Sequence, residues 1–152
     1  MINLLRTDSS NIDFQNLVKK LDDYLAKIDG EETAFYSQYN KIDSLNHVVV
    51  LFENGTPMAC GAIKESDPNR MEVKRMYTSI DARGKGFASQ VLSELEKWAS
   101  EMGYKSCVLE TGKRQPDAIG LYEKAGYKKI PNYGQYYGIE NSVCFEKVFN
   151  LF

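Results

Sequence analysis

The residues of this chain with the clearest chemical potential form the run Arg83-Gly84-Lys85-Gly86-Phe87-Ala88. This run lies between a predicted strand, Met71 to Thr78, and a predicted helix, Ala88 to Met102. Two glycines at a strand-to-helix turn allow the backbone to approach a ligand closely. The helix start adds N–H groups without helical partners at the positive end of the helix dipole. The pattern therefore predicts a site for phosphate or pyrophosphate.

Two common phosphate-binding motifs do not match this turn. A P-loop requires G-x-x-x-x-G-K-[ST], which the chain lacks. A dinucleotide-binding turn requires G-x-G-x-x-G in a parallel βαβ unit. Here Gly84-x-Gly86-x-x-Ser89 supplies two of the three glycines and follows a run of predicted hairpins. A nucleotide-dependent oxidoreductase remains an alternative that NAD(P)H binding would favour.

The elements that position this turn are predicted from hydrophobic periodicity and turn residues. Helices are predicted from Phe14 to Ile28, from Ala88 to Met102 and from Asp117 to Ala125. Strands are predicted at 47–53, 58–64, 71–78, 106–110, 127–130 and 142–148, with Asn54-Gly55 as a hairpin turn. The order of these elements predicts an α/β or α+β sandwich.

Length and composition are those of a single globular domain. The 152 residues are 43% hydrophobic and 26% charged, which excludes a disordered or collagen-like chain. The net charge of -2 gives no global basic signature for nucleic acid. No apolar run approaches the roughly 20 residues of a membrane span. Residues 1–8 lack the layout of a signal peptide, so we expect a cytoplasmic protein.

The cysteines and the histidine give little support for a metal site or a thiol nucleophile. Cys60, Cys107 and Cys144 are widely spaced, form no CxxC pair and lie in apolar or strand-like contexts. This pattern predicts three buried, reduced thiols. His47 precedes an apolar run and is expected to be a strand-edge residue, so no metal is predicted.

Three segments, taken in order, resemble the GNAT N-acetyltransferase family. Arg83-x-x-Gly86-x-Ala88 resembles the acetyl-CoA signature of the family, R-x-x-G-x-A. Residues 72–78 resemble its fourth strand, and residues 109–111 resemble the end of its fifth. Residues 118–127 resemble its A-x-x-L-Y-x-K-x-G-F segment, with Tyr127 in the place of Phe. Order and spacing agree from about His47 to Phe149.

The resemblance implies a fold and a division of the chain. The expected GNAT fold has a central mixed, mostly antiparallel sheet, flanked by helices and splayed between the fourth and fifth strands. We expect one domain over residues 1–152. Its N-terminal helical part, about 1–46, would serve the acceptor side, and about 47–149 would form the acetyl-CoA core.

The resemblance also implies acetyl-CoA as co-substrate and identifies its contacts. The backbone near Met76 and Thr78 would bond the pantetheine arm, and the amides from Arg83 to Ala88 would hold the pyrophosphate. The predicted cofactor-binding residues are Met76, Tyr77, Thr78, Arg83, Gly84, Lys85, Gly86, Phe87, Ala88, Ser89, Gln115 and Tyr122. Gln115 stands where the family usually carries Asn, which leaves that contact open.

Acetyl transfer to an amine requires deprotonation of the amine, polarisation of the thioester carbonyl and stabilisation of the leaving thiolate. By periodicity alone Tyr122 fits a core tyrosine, whereas the resemblance places it beside the cofactor sulfur as the acid. The resemblance implies the Met76 backbone N–H as the donor to the oxyanion.

The identity of the base is open. Glu72 lies eleven residues before Arg83, the spacing at which some family members carry a glutamate base. By pleat alternation Glu72, Lys74 and Met76 are expected to share one sheet face. Glu110 is the rival base, and a chain of waters without a single base is a third alternative.

The segments expected on the acceptor side are rich in tyrosine. Segments expected on the acceptor side contain Tyr36, Tyr39, Tyr133, Tyr136 and Tyr137, which could form an aromatic wall around an amine.

We expect a small-molecule amine rather than a peptide amine, attacked directly in a ternary complex. A non-catalytic acyl-CoA-binding module is the alternative. No nucleic-acid or membrane partner is expected, and a homodimer is an open expectation.

Overall fold

A computed structural model of the chain describes residues 1–29 and 45–149, which form one seven-stranded sheet and three helices. The strands are β1 (Ile2–Thr7), β2 (His47–Glu53), β3 (Thr56–Asp67), β4 (Arg70–Thr78), β5 (Ser106–Gly112), β6 (Lys128–Ile130) and β7 (Ser142–Val148). The helices are α1 (Ile12–Asp29), α2 (Phe87–Glu101) and α3 (Pro116–Lys124), with single 3-10 turns at Ile80–Ala82 and Gly134–Tyr136.

The sheet has the order β1-β2-β3-β4-β5-β7-β6, and β4–β5 is its parallel pair. The other neighbouring strands pair antiparallel, so the mixed, mostly antiparallel sheet of the prediction is confirmed. The element order from the sequence was wrong at the N-terminus, because it omitted β1. This edge strand has an exposed stretch from Ile2 to Leu5 and no alternation of buried and exposed residues to reveal it.

The hairpin between β2 and β3 has the predicted turn. Asn54 and Gly55 both adopt positive φ, at 50° and 82°, between the paired residues Glu53 and Thr56. Positive φ at both central residues is the requirement of the tight turns that match strand twist, which explains the Asn-Gly sequence.

The strands β4 and β5 pair only over a short stretch. Their register runs from Arg70 opposite Ser106 to Glu72 opposite Val108. Beyond these pairs β4 continues to Thr78 and β5 to Gly112 without pairing to each other. The sheet is therefore splayed between its fourth and fifth strands, as the resemblance implied.

A β-bulge in β4 changes which residues face each side of the sheet. Cys60 pairs with Tyr77 and Ala62 with Lys74, so two residues of β4 lie opposite Gly61 alone. Arg75, one of these two, has φ of 59°, which non-glycine residues rarely adopt.

The bulge overturns one expectation, that Glu72, Lys74 and Met76 share a face. Val73 and Met76 both pack with the apolar core under α2. Glu72 and Lys74 alternate with Val73 and so lie on the opposite face. Simple pleat alternation failed because the extra residue resets the alternation.

Each face of the sheet buries an apolar core. Under α2, the core combines Val91, Leu92 and Leu95 with strand residues such as Leu109. Under α1, Phe14, Leu17, Val18 and Leu21 pack against β2 and β3. The cap of α1 is Asn11, whose Oδ1 accepts a 2.9 Å hydrogen bond from the Phe14 N–H. A fully buried Leu or Phe contributes about 1.5–3 kcal/mol, so these faces fix the helices on the sheet.

The histidine and the three cysteines all lie in strands of the sheet. His47 begins β2, and its ring meets the Trp98 ring edge-on with centroids 4.9 Å apart. Cys60, Cys107 and Cys144 are buried and free, as predicted. Within residues 1–29 and 45–149, no group of His, Cys, Asp and Glu side chains is arranged to hold a metal ion. Among the helices of those ranges, none has the length and apolar character to span a bilayer.

Candidate active site

The splayed ends of β4 and β5 open onto two adjoining cavities. The larger cavity has a volume of about 400 Å³. Its walls come from α1, the end of β4, the turn into α2 and the start of α3. The lining residues are Leu21, Tyr24, Met76, Tyr77, Thr78, Ala82, Arg83, Gly84, Gly86, Phe87, Ala88, Ser89, Gln115, Pro116, Asp117, Ala118, Leu121 and Tyr122.

The larger cavity brings together eleven of the twelve residues predicted to bind the cofactor. Lys85 is the exception, since it is not among the lining residues. Its Nζ lies 3.3 Å from Glu53 Oε1 and 5.8 Å from the centroid of the Phe87 ring. The ammonium therefore contacts Glu53 of β2 and the ring of Phe87, and it contributes charge near the turn without lining the cavity.

The turn into α2 depends on glycine because of its conformation. Gly84 and Gly86 have φ of 82° and 78°, whereas a Cβ added at either would meet nothing within 4 Å. Gly86 is the N-cap residue of α2, and no side chain caps the helix. The first N–H groups of a helix have no partner within it. The start of α2 therefore presents a positive dipole end and backbone N–H donors, two features that favour an anionic group such as a phosphate.

Arg83 ties this turn to the neighbouring elements. Its Nε donates a 3.2 Å hydrogen bond to the Thr78 carbonyl oxygen. Its guanidinium carbon lies 5.4 Å from the Tyr24 ring centroid and 6.0 Å from the Tyr77 ring centroid. These cation–π contacts hold a positive charge beside the glycine turn.

The smaller cavity has a volume of about 110 Å³ and lies where β4 and β5 separate. Its lining residues are Leu21, Leu25, Glu72, Val73, Lys74, Arg75, Met76, Glu110, Thr111, Gly112, Gln115, Ala118, Tyr122 and Tyr136. Five of them also line the larger cavity: Leu21, Met76, Gln115, Ala118 and Tyr122. The two cavities are thus joined by a common wall that carries the predicted acid.

Tyr122 is buried in that common wall. Its ring packs edge-on against Tyr127 and is tilted toward Phe145, with centroids 5.9 and 6.4 Å away. Burial, and secondarily the negative charge of Glu110, raises the pKa of the Tyr122 phenol. The hydroxyl therefore stays protonated at neutral pH and is available as a hydrogen-bond donor.

Glu72, the predicted base, is buried in the smaller cavity with two polar neighbours. Its Oε2 accepts a 2.7 Å hydrogen bond from the Tyr133 hydroxyl. Its Oε1 lies 3.6 Å from Nζ of Lys74. Burial raises the pKa of Tyr133, and the charge of Glu72 adds to this effect, so the phenol stays a donor. The rival base, Glu110, lines the same cavity.

Two residues at the bulge had no predicted part in the site. Arg75 is almost fully buried and forms an ion pair with Asp22 of α1 through Nη2. Lys74 lines the smaller cavity, and its side chain is 8% exposed. The bulge itself has no signal in residue types, because it arises from the register with β3.

The tyrosines of the late loop differ in their placement. Tyr136 is buried and lines the smaller cavity, and its ring meets that of Tyr133 edge-on at 5.6 Å. Tyr137 is 80% exposed and lines neither cavity. Tyr36 and Tyr39, also expected on the acceptor side, lie outside the residues that the structure describes.

Comparison with known proteins agrees with this geometry. The family model described as Acetyltransferase (GNAT) family matches residues 14–127. The chain is 33% identical over 125 residues to the N-acetyltransferase YsnE of Bacillus subtilis, covering 81% of this chain and 74% of that one. It is 30% identical over 133 residues to the IAA acetyltransferase of Azospirillum brasilense, covering 86% and 87%. The chain belongs to the GNAT acetyltransferase family.

Two solved structures share the fold of this chain. An acyl-CoA N-acyltransferase from Klebsiella pneumoniae has a TM-score of 0.82 at 26% identity, covering 97% of each chain. The PaiA N-acetyltransferase of Thermoplasma acidophilum, solved with coenzyme A, has a TM-score of 0.72. At 17% identity over 98% of this chain and 99% of that one, it shows the fold alone. With the family match, the chain is an acetyl-CoA-dependent acetyltransferase, as predicted.

Proposed function

We propose that this enzyme transfers the acetyl group of acetyl-CoA to a primary amine of a small molecule, by direct attack in a ternary complex. The observation that carries the proposal is the wall shared by the two cavities, which contains Met76 and Tyr122. A donor in the larger cavity and an amine in the smaller one would meet at that wall.

The larger cavity fits the donor. An acyl-CoA carries both amides and a pyrophosphate, so it needs a strand edge and a helix N-terminus side by side. The open edge of β4 from Met76 to Thr78 supplies the first, and the turn from Arg83 to Ser89 supplies the second. Gln115, at the start of α3, lines the same cavity and can add a side-chain amide.

The smaller cavity fits a compact cationic acceptor. The carboxylates of Glu72 and Glu110 line it and attract an ammonium group, while the two cations of the same lining are paired, Arg75 with Asp22 and Lys74 with Glu72. Leu21 and Leu25 of α1 add apolar wall, which supports the assignment of the N-terminal part to the acceptor side. At about 110 Å³ the cavity has room for an amine head group rather than for a folded partner.

The roles of the residues follow from their places around the shared wall. Glu72 takes a proton from the bound ammonium, directly or through a water, with Glu110 as the second carboxylate within the same cavity. The free amine attacks the thioester carbonyl. The Met76 N–H donates to the developing oxyanion, and a bulge favours this because it leaves backbone groups outside the ladder. Tyr122 donates its hydroxyl proton to the leaving thiolate.

Steady-state kinetics test this proposal. Release of the CoA thiol is measured with acetyl-CoA and a panel of small amines, and initial rates are recorded while both substrates are varied. Intersecting double-reciprocal lines are expected for a ternary complex. Parallel lines would show a covalent acetyl-enzyme instead, and tight acetyl-CoA binding without turnover on any amine would favour a non-catalytic acyl-CoA module.

A further inference from the structure

The smaller cavity contains a primary amine that belongs to the protein itself. Lys74 lies two residues before Met76 in β4 and lines the cavity together with Tyr122. Its side chain is only 8% exposed, so the amine is largely enclosed by the protein. We propose that Lys74 is a self-acetylation site, modified by acetyl-CoA bound in the larger cavity when no acceptor is present. This inference rests on the proposed function.

The surroundings of Lys74 favour the reactive, neutral form of its amine. Burial is the main influence on its pKa and lowers it, and the nearby charge of Lys64 acts in the same direction. The carboxylates of Glu72 and Glu110 oppose this effect without cancelling it. Lysine becomes a nucleophile when desolvation lowers its pKa. A larger fraction of Lys74 than of an exposed lysine is therefore neutral at a given pH.

The groups that an acyl transfer requires surround this amine. Oε1 of Glu72 lies 3.6 Å from Nζ of Lys74 and can take its proton. The charge of Glu110 raises the pKa of both Lys74 and Tyr122, which places the amine and the proton donor near the same carboxylate. Nucleophile, proton acceptor and proton donor thus share one cavity of about 110 Å³.

The proposed step is a complete acyl transfer. The lone pair of Lys74 Nζ attacks the thioester carbonyl carbon, forming an amide bond while the carbon–sulfur bond breaks. The CoA sulfur takes the proton of the Tyr122 hydroxyl, and the proton lost by the amine passes to Glu72. The proton held by Glu72 then returns to the Tyr122 phenolate by exchange with solvent, so the products are acetyl-Lys74 and free CoA, and no further reactant is consumed.

Acetylation of Lys74 would block binding of the acceptor amine in the smaller cavity. Acetylation removes the positive charge of Lys74, and with it the ion pair to Glu72. The added acetyl group occupies the space in which the acceptor amine would bind. An amine acceptor should therefore protect Lys74, whereas incubation with acetyl-CoA alone should inactivate the enzyme in step with the modification.

Mass spectrometry of the full chain tests the inference. The protein is incubated with acetyl-CoA, without acceptor, and acetylation is followed by intact mass and by peptide mapping. Exposed Lys64, in β3, reports the uncatalysed reaction. We expect acetylation at Lys74 to exceed that at Lys64 by about 10²-fold, the scale of general acid–base catalysis. Tyr122→Phe should slow acetylation of Lys74 without changing Lys64, and Lys64→Arg should leave Lys74 acetylation intact.

The outcomes separate this inference from the proposed function. A chain that acetylates an added amine but leaves Lys74 unmodified overturns the inference and leaves the proposed function standing. Equal acetylation of Lys74 and Lys64, insensitive to Tyr122→Phe, overturns it as well, since the site would play no part. A chain that acetylates neither Lys74 nor any added amine contradicts both.

Discussion

The hydroxyl of Tyr133 donates a 2.7 Å hydrogen bond to Oε2 of Glu72, across 61 residues of sequence. Glu72 is in β4, and Tyr133 immediately precedes the 3-10 turn at Gly134–Tyr136. The contact joins the late loop to the carboxylate proposed as the base. It leaves Oε1 as the oxygen turned toward Lys74, so Tyr133 sets the orientation of Glu72 within the smaller cavity.

Tyr133→Phe removes this hydrogen bond while keeping the ring. We expect kcat to fall by about tenfold, since the orientation of the base is lost, and we expect a loss of about 1 kcal/mol in the free energy of unfolding. The Kd of acetyl-CoA should not change, because Tyr133 does not line the larger cavity. The matched control is Tyr137→Phe, at an exposed ring that lines neither cavity. A drop in kcat as large in the control would refute the positioning role.

The two carboxylates of the smaller cavity can be separated by Glu72→Gln and Glu110→Gln. We expect Glu72→Gln to lower kcat/KM for the amine by about 10²-fold, the low end of the range for general bases. Glu110→Gln should have the smaller effect. The measurement is kcat/KM for both variants across pH. Full turnover at every pH in both would mean that no carboxylate acts as the base.

The conformation of Gly86 makes a prediction about cofactor binding. At φ of 78°, an alanine in this place costs about 1–2 kcal/mol, so Gly86→Ala should weaken acetyl-CoA binding as the turn relaxes. Gly120→Ala is the control, since Gly120 lies within α3 without positive φ and without a neighbour within 4 Å of an added Cβ. It should stabilise the fold by about 0.4–1 kcal/mol with unchanged affinity. Titration calorimetry measures the acetyl-CoA affinity of each variant, and thermal unfolding measures its stability. Equal affinities for Gly86→Ala and Gly120→Ala would contradict a role of the Gly86 conformation in cofactor binding.

Gly61 of β3 lies opposite the bulge in β4, where the absence of a side chain leaves room for Met76. A Cβ at this position would collide with the sulfur of Met76 and would lie 2.9 Å from Cδ1 of Leu95. Gly61→Ala should therefore destabilise the fold by about 1–3 kcal/mol, the usual cost of overpacking, and should displace Met76. Urea unfolding measures the loss of stability. A fall in kcat reports the displacement of Met76, because the Met76 N–H is the proposed donor to the oxyanion. An unchanged unfolding midpoint would show that the Met76 side chain moves aside freely.

The elements with strong local signals were predicted from the sequence alone. The strands His47–Glu53 and Ser142–Val148 have their predicted bounds, because each is a compact apolar run between turn residues. The helix after the glycine turn begins at Phe87, one residue earlier than predicted. Local hydrophobic period and glycine placement were sufficient for these elements and for the turn that they flank.

The features that the sequence did not predict depend on strand pairing and on packing between distant segments. Edge strand β1 has little burial to impose a pattern, and the bulge at Arg75 comes from the pairing of β4 with β3. Neither the contact of Tyr133 with Glu72 nor the place of Lys74 in the smaller cavity follows from spacing. Such contacts are set by how distant segments pack, which residue types and periodicity do not encode.

The most direct test of the account compares Tyr122→Phe with Tyr127→Phe. Both remove one hydroxyl from adjoining buried rings, but Tyr127 lines neither cavity and donates its hydroxyl to Glu96 at 2.9 Å. The measurement is kcat for amine acetylation, alongside the Kd of acetyl-CoA. We predict that Tyr122→Phe lowers kcat by about 10²-fold or more and, because Tyr122 also lines the larger cavity, weakens acetyl-CoA binding by at most about tenfold, whereas Tyr127→Phe keeps both kcat and Kd. Equal kcat values in the two variants would contradict the role of Tyr122 at the wall between the cavities.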